Sequence, residues 1–245
     1  MHNDPASASF PAPAAFATPA LAQWHAAATP TGIAALFGDI TTLGVIVPHP
    51  DDETLGCGGL IAAAAARGVA VTVTFLTDGG ASHPGSVAWP PARLARRRQD
   101  EAARAVAILT DGNGCVVFAG APDGGLADHP ASGDVVPAAD LFVTCWHGDP
   151  HADHVAAFAI AATVAARHAV PLLAFPLWVL TTDSAVPDGI IHRIDVSAHL
   201  ARKRAALAAH TSQLGFPEAG VDGFVLDAVL QRLFVRPDEL FARIG

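Results

Sequence analysis

The chain has 245 residues, 51% of them hydrophobic and 15% charged, with a formal net charge of −9. That is enough apolar material for one substantial core, and the acidic balance excludes the basic footprint that nucleic acid demands. Cys57, Cys115 and Cys145 are odd in number and never form C-x-x-C, which excludes a disulfide framework and a thiolate zinc site and leads us to expect a reducing, cytoplasmic setting.

Residues 1–30 are rich in Ala and Pro, and no Lys or Arg precedes Arg67, so the positive start of a signal peptide is missing. This stretch reads as a loosely structured N-terminal segment or arm, and 31–245 as a single domain. Leu43 to Val47 is short, β-branched and continuously apolar, as expected of a strand buried on both faces of a parallel sheet. It stops at Pro48. Leu55 to Arg67 predicts a helix closed by Gly68, and Val69 to Leu76 a second strand that runs into the turn cluster Thr77-Asp78-Gly79-Gly80 and a loop to Pro91. Arg93 to Leu109 has helical composition; Cys115 to Phe118 and Asp140 to Cys145 read as the third and fourth strands. Further on, His151 to His168 reads as a helix and Leu172 to Leu180 as strand material interrupted by Pro176. Ile190 to Val196 gives another strand and Ser197 to His210 a last helix. The alternation predicts an α/β fold: a Rossmann-like, three-layer open sheet, mostly parallel, with helices on both faces. Apolar runs such as Leu60 to Ala66 and Val170 to Leu180 fall short of the roughly 20 residues a bilayer requires, so no membrane span is expected.

In such sheets ligands bind beyond the carboxyl ends of the strands. The first strand leads directly into Pro48-His49-Pro50-Asp51-Asp52-Glu53, and the fourth into a segment from Trp146 that contains His147, Asp149, His151, Asp153 and His154. Acidic and His residues at strand ends are often solvated loop side chains. Here, however, an imidazole and a carboxylate three apart in a Pro-restricted turn can converge on one ion, and an imidazole from the other strand end would complete a three-ligand site with an open position, the mark of a catalytic centre. Adjacent carboxylates repel unless a cation offsets them. Nitrogen and oxygen donors without thiolate suit Zn²⁺, with Fe²⁺, Co²⁺ or Mn²⁺ also compatible. Spacing alone leaves open which of His151 and His154 ligates, since residues three apart share a helix face.

Taken together, Pro48-His49-Pro50-Asp51-Asp52-Glu53 with Gly58-Gly59, and His151-Ala152-Asp153-His154, resemble the signature of the PIG-L/LmbE-like deacetylase family. Thr77-Asp78-Gly79, Arg98-Gln99-Asp100-Glu101, Asp123-Gly124, and Lys203 with His210-Thr211-Ser212-Gln213 extend the likeness in family order over roughly residues 43–213. Ala152 stands where the family usually has Pro, and Gly80 where an acidic residue is common. The resemblance implies a zinc-dependent amidohydrolase that removes the N-acetyl group from an N-acetylglucosamine-type small molecule. It further implies that His49, Asp52 and His154 bind the metal, that Asp51 is the general base, and that His151 is the partner imidazole at the oxyanion, held cationic by Asp153 or Asp149. Arg98 and His210 are the substrate-binding candidates, each with a rival structural reading as a solvated helix residue or a helix-end cation.

His147 reads as a loop residue and Cys57 as a small packed one. The dinucleotide fingerprint fails because Gly56-Cys57-Gly58 is followed by Ile61 at the last required position. No G-x-S-x-G appears, which excludes a serine-hydrolase elbow. A noncatalytic metal- or sugar-binding module is the remaining rival. No sequence feature specifies an oligomeric state.

Overall fold

The computed structural model describes residues 18–128, 133–215 and 223–244. In chain order the elements are α1 (Pro19–Ala27), β1 (Ala28–Pro30), α2 (Ile33–Phe37), β2 (Thr42–Val47), α3 (Asp52–Ala66), β3 (Ala70–Thr77), α4 (Pro91–Leu109), β4 (Cys115–Ala121), β5 (Leu141–Cys145), α5 (Ala152–His168), β6 (Leu172–Phe175), β7 (Ile190–Asp195), α6 (Leu200–Ala209), α7 (Ala228–Phe234) and β8 (Asp238–Ile244). The eight strands form one sheet in the order β1-β7-β8-β6-β5-β2-β3-β4, parallel throughout except for β8.

The continuous apolar runs arise because both faces of the sheet are covered. Leu43, Val45 and Val47 enter the larger core with Leu60 and Ile61 of α3, Val106 and Leu109 of α4, and Leu207 of α6. Ile46, Leu76 and Phe142 point the other way, against Ala157, Ala161 and Val164 of α5. Three layers result, as expected. After β2 the chain lays β3 and β4 to one side and then crosses to place β5 on the other. The carboxyl ends of β2 and β5 therefore flank the point where strand order reverses, the place where an open α/β sheet leaves a crevice.

Several boundaries differ from the sequence expectation. The helix expected from Leu55 starts at Asp52, because the amides of Thr54 and Leu55 already donate to Asp51 O, at 3.0 and 2.9 Å. The strand expected to run through Leu180 stops before Pro176, and Trp178–Thr181 form a 3₁₀ turn. The helix expected from Ser197 begins with a separate 3₁₀ turn, Ser197–His199. Within the leader, Pro19–Ala27 is a helix whose Trp24 is fully buried against Trp146, and β1 pairs with β7 at the sheet edge.

The second half of α3 is set apart by Cys57, whose φ of −142° and ψ of 21° break the helical repeat. The exposed turn ends find partners from distant segments: the amides of Gly59 and Leu60 donate to Glu239 at 2.7 and 2.9 Å, and Lys203 Nζ donates to Leu55 O at 2.9 Å and to Glu239 Oε1 at 2.6 Å. Glu239 thus caps the N-terminus of the second half. At Gly56 a Cβ would fall 2.1 Å from the Phe175 ring, so only glycine lets the kinked helix approach β6. Among the described residues no helix is long and apolar enough to cross a membrane.

Candidate metal centre and its cleft

The turn after β2 is fixed from several sides. Pro48 O accepts hydrogen bonds from the Thr77 amide and hydroxyl, at 2.9 and 2.8 Å. Arg98 donates to Pro50 O at 2.6 Å and Gly79 O at 3.0 Å, and its Nη2 lies 3.2 Å from Asp51 Oδ1. Asp51 has a φ of 128°, a backbone state that L side chains rarely adopt, and such strain persists only where surrounding contacts over-determine it, as they do here. The Asp51 amide also donates to Glu53 Oε2 at 2.9 Å.

This geometry turns Asp52 inward. Its Oδ2 accepts from the His49 amide at 2.9 Å and lies 3.2 Å from His49 Nδ1 and 3.5 Å from His154 Nε2. His154 arrives from the first turn of α5, the neighbouring strand end. Zinc bonds of about 2.0–2.1 Å in a tetrahedron imply ligand separations of roughly 3.3 Å, so these distances already match the edges of a coordination polyhedron. His154 is 0% exposed, yet neither ring nitrogen has a hydrogen-bond partner; a buried imidazole without a partner is costly unless something else meets it. A divalent cation between His49 Nδ1, Asp52 Oδ2 and His154 Nε2 fits both observations.

The other nitrogen of His49 settles its tautomer. Nε2 lies 3.1 Å from Asp123 Oδ1 and 3.1 Å from Asp153 Oδ2, so the proton sits there and Nδ1 is free to ligate. His49, His151 and Asp153 form a second grouping close enough to hold an ion, but it would use the nitrogen already committed to two carboxylates. We therefore read it as the set that orients His49. Asp149 plays a related part behind His154, with Oδ1 3.4 Å from Nδ1.

The electrostatics follow this arrangement. Burial opposes charge on His49, but its hydrogen bonds to Asp123, Asp153 and Asp52 outweigh it and hold its pKa well above the ordinary value. Burial also works against Asp52, yet the His154 and His49 imidazoles keep its carboxyl well below the usual range. Asp123 behaves alike: burial is outweighed chiefly by His49, and its pKa is lowered to about 2. For Asp51 burial dominates and pushes the carboxyl up to about 7, against the pull of the Arg98 guanidinium. A cation beside it would favour its carboxylate form.

Two sequence expectations are corrected. Asp153, expected to keep His151 cationic, instead binds His49 Nε2 and accepts the amides of Gly124 and Leu126 at 2.8 and 3.1 Å. The His151 pKa is lowered, first by burial and then by the positive fields of His49 and His154, and its Nδ1 accepts from the Asp153 amide at 3.2 Å. With Nδ1 accepting, Nε2 is the ring's donor. His210, a substrate candidate, is 0% exposed and lies behind the turn with Nε2 3.1 Å from Glu53 Oε1. Burial lowers its pKa less than Glu53 raises it. Arg98 does line the cleft, but its guanidinium is spent on the turn. His147 is a loop residue beside Asp188, as expected.

The cleft has a volume of about 450 Å³. His49, Asp51, Asp52, Asp123, Arg98 and His151 line it, as do Trp178 and Phe224. Asp123, Trp178 and Phe224 escaped assignment from sequence, and Asp149 was assigned to His151 rather than to His154. For Asp123 a signal existed, the Asp-Gly turn; for the aromatics no motif did.

A family model described as "PIG-L: GlcNAc-PI de-N-acetylase" matches residues 44–165. Among solved structures, N,N'-diacetylchitobiose deacetylase from Pyrococcus horikoshii aligns with a TM-score of 0.65 and 19% identity over 85% of each chain. A conserved protein from Thermus thermophilus aligns with a TM-score of 0.58 and 26% identity over 83% of this chain and 94% of that one. The 4-carboxy-2-hydroxymuconate hydratase GalB of Pseudomonas putida aligns at 0.55 and 19% identity over 84% and 96%, so the fold alone does not dictate the reaction. No curated protein matches the chain in sequence. Residues 44–165, which contain both His49 and His154, are a PIG-L family domain.

Proposed function

We propose that the chain is a zinc-dependent N-deacetylase, hydrolysing the acetamide of an N-acetylglucosamine-type small molecule to acetate and a free amine. The observation that carries this is the convergence of His49 Nδ1, Asp52 Oδ2 and the partnerless His154 beside the buried carboxylate of Asp51. The family model's own description, a de-N-acetylase, supports the reaction class. Free Cys57, Cys115 and Cys145 suit a cytoplasmic protein.

His49, Asp52 and His154 would hold the ion. When bound, zinc supplies Lewis acidity and lowers the pKa of a coordinated water to about 7. Asp51 takes the proton of the attacking water on Oδ2, because Arg98 holds Oδ1. Attack forms the C–O bond of a tetrahedral oxyanion, and its collapse breaks the C–N bond as Asp51 returns the proton to the departing nitrogen. His151 donates its Nε2–H to the developing oxyanion. It does so as a neutral imidazole, since the Asp153 amide fixes the tautomer. Asp123 and Asp153 hold His49 in register throughout.

The test is acetate release from a panel of N-acetylated glucosamine derivatives, with zinc content measured on the same sample. We expect about one zinc per chain, activity abolished by a chelator and restored by zinc. Stoichiometric zinc with no acetate from any compound would overturn the enzymatic reading and leave a metal-binding module.

A further inference from the structure

All fourteen Lys and Arg residues of the chain lie among the described residues. Of these only Arg98 lines the cleft, and its guanidinium nitrogens already serve Pro50 O, Gly79 O and Asp51. Apart from the helix that carries Arg98, the described segments contributing lining residues are 48–52, 78–90, 122–128, 146–151, 176–189, 210–215 and 223–227. Between them they contain no Lys or Arg, and of their nine Asp three, Asp51, Asp52 and Asp123, line the cleft. Recognition of a phosphate or carboxylate normally uses Arg or Lys side chains with donors to spare. None is supplied here.

The wall facing this polar floor is aromatic. Trp178 sits in the 3₁₀ turn after β6, with the Phe224 and Phe234 rings edge-on to it, centroids 5.5 Å away in each case at 90° and 86°. Its placement is therefore fixed by two neighbours. Phe224 is tied to the opposite loop, its amide donating to Ser82 O at 2.9 Å, while Gln213 Nε2 donates to Ser82 Oγ at 3.3 Å. Two aromatic rings at right angles to each other thus line the same cleft as the metal-ligand candidates.

We infer that the portion of the substrate carrying the amide is uncharged and packs an apolar face, a sugar ring or an aglycone, on Trp178 and Phe224, so that neutral N-acetylated glycosides are used and phosphate-bearing ones are disfavoured. This rests on the deacetylase reading for its kinetic arm but not for its binding arm.

The experiment compares phenyl N-acetyl-β-glucosaminide with N-acetylglucosamine 1-phosphate on the zinc-loaded protein. At low ionic strength kcat/KM should be at least about tenfold higher for the phenyl glycoside, and the deficit of the phosphate should shrink as salt screens the acidic lining. Trp178→Ala should raise KM for the phenyl compound about 2- to 10-fold, as expected for loss of an aromatic contact, with Trp178→Phe rescuing most of it. Tryptophan fluorescence titrations of the same two ligands, with Trp178→Phe identifying the responding indole, read binding without turnover. If neither compound releases acetate but the phenyl glycoside binds more tightly, the deacetylase reading falls and this inference stands. Equal or tighter binding of the phosphate, or a phosphate rate that falls with added salt, overturns it.

Discussion

The two sides of the cleft are built on different principles. On the metal side, His49, Asp51 and Asp52 belong to a turn whose backbone and side chains are nearly all committed, to Thr77, Arg98, Glu53, Asp123 and Asp153. On the far side, Trp178 and Phe224 are placed by ring contacts and by a few bonds between loops. A charged network tolerates almost no substitution because each loss strands a buried partner, whereas an apolar wall can be rebuilt from residues of similar volume. Chemistry is thereby pinned while substrate choice stays adjustable.

That contrast can be broken most severely at Asp51. Asp51→Asn should keep zinc but lower kcat by about 10²- to 10⁴-fold, the usual worth of a general base; full activity in a zinc-replete variant would remove Asp51 from the mechanism. One step out, Asp123→Asn should weaken zinc binding about 10- to 100-fold, the loss expected when a ligand imidazole loses its orienting carboxylate, and competition with a chromogenic chelator would measure it. Further back, the His210–Glu53 pair should contribute to stability in a pH-dependent way. Because the His210 pKa is raised in the folded state, the contribution is fully present below the unfolded pKa of about 6.5 and is lost as pH rises through the folded value. The unfolding free-energy gap between wild type and His210→Asn should narrow on going from pH 6 to pH 9; a gap that widens would refute the pairing. Smallest is the effect of Asp140, at the opposite end of the sheet, whose Oδ2 accepts from the amides and hydroxyls of Thr41 and Thr42. Those bonds lower its pKa to about 2, so its contribution is present above about pH 4 and fades as pH falls through about 2. Asp140→Asn should lower stability at neutral pH by a deficit that closes as pH falls through about 2, and leave zinc content and kcat unchanged.

How much of this was readable in advance follows the same division. The strands from Leu43 to Val196 were legible because burial on two faces imposes unbroken apolar runs, and the candidate ligands because polar clusters stood where such runs ended, with spacing leaving His151 and His154 undecided. β8 was not, since Asp238, Glu239 and Arg243 interrupt its apolar residues and its pairing is antiparallel to β6 and β7. β1 is three residues at an edge, too short for any period. Asp153 was paired with His151 because the two lie two residues apart, and sequence proximity says nothing of which imidazole a helix turn presents to a carboxylate. Trp178 and Phe224 lie far apart in sequence on irregular segments, and only tertiary contact makes them a pair.

The broken helix behind the metal turn depends on a distant strand. Glu239, which caps its second half and holds Lys203, sits on β8, the strand that fills the slot between β6 and β7. Without Glu239, Lys203 Nζ would keep only Leu55 O, and the second half of the helix that begins at Asp52 would lose its cap. The turn that carries His49 and Asp52 is thereby tied, through its helix, to the last strand of the sheet.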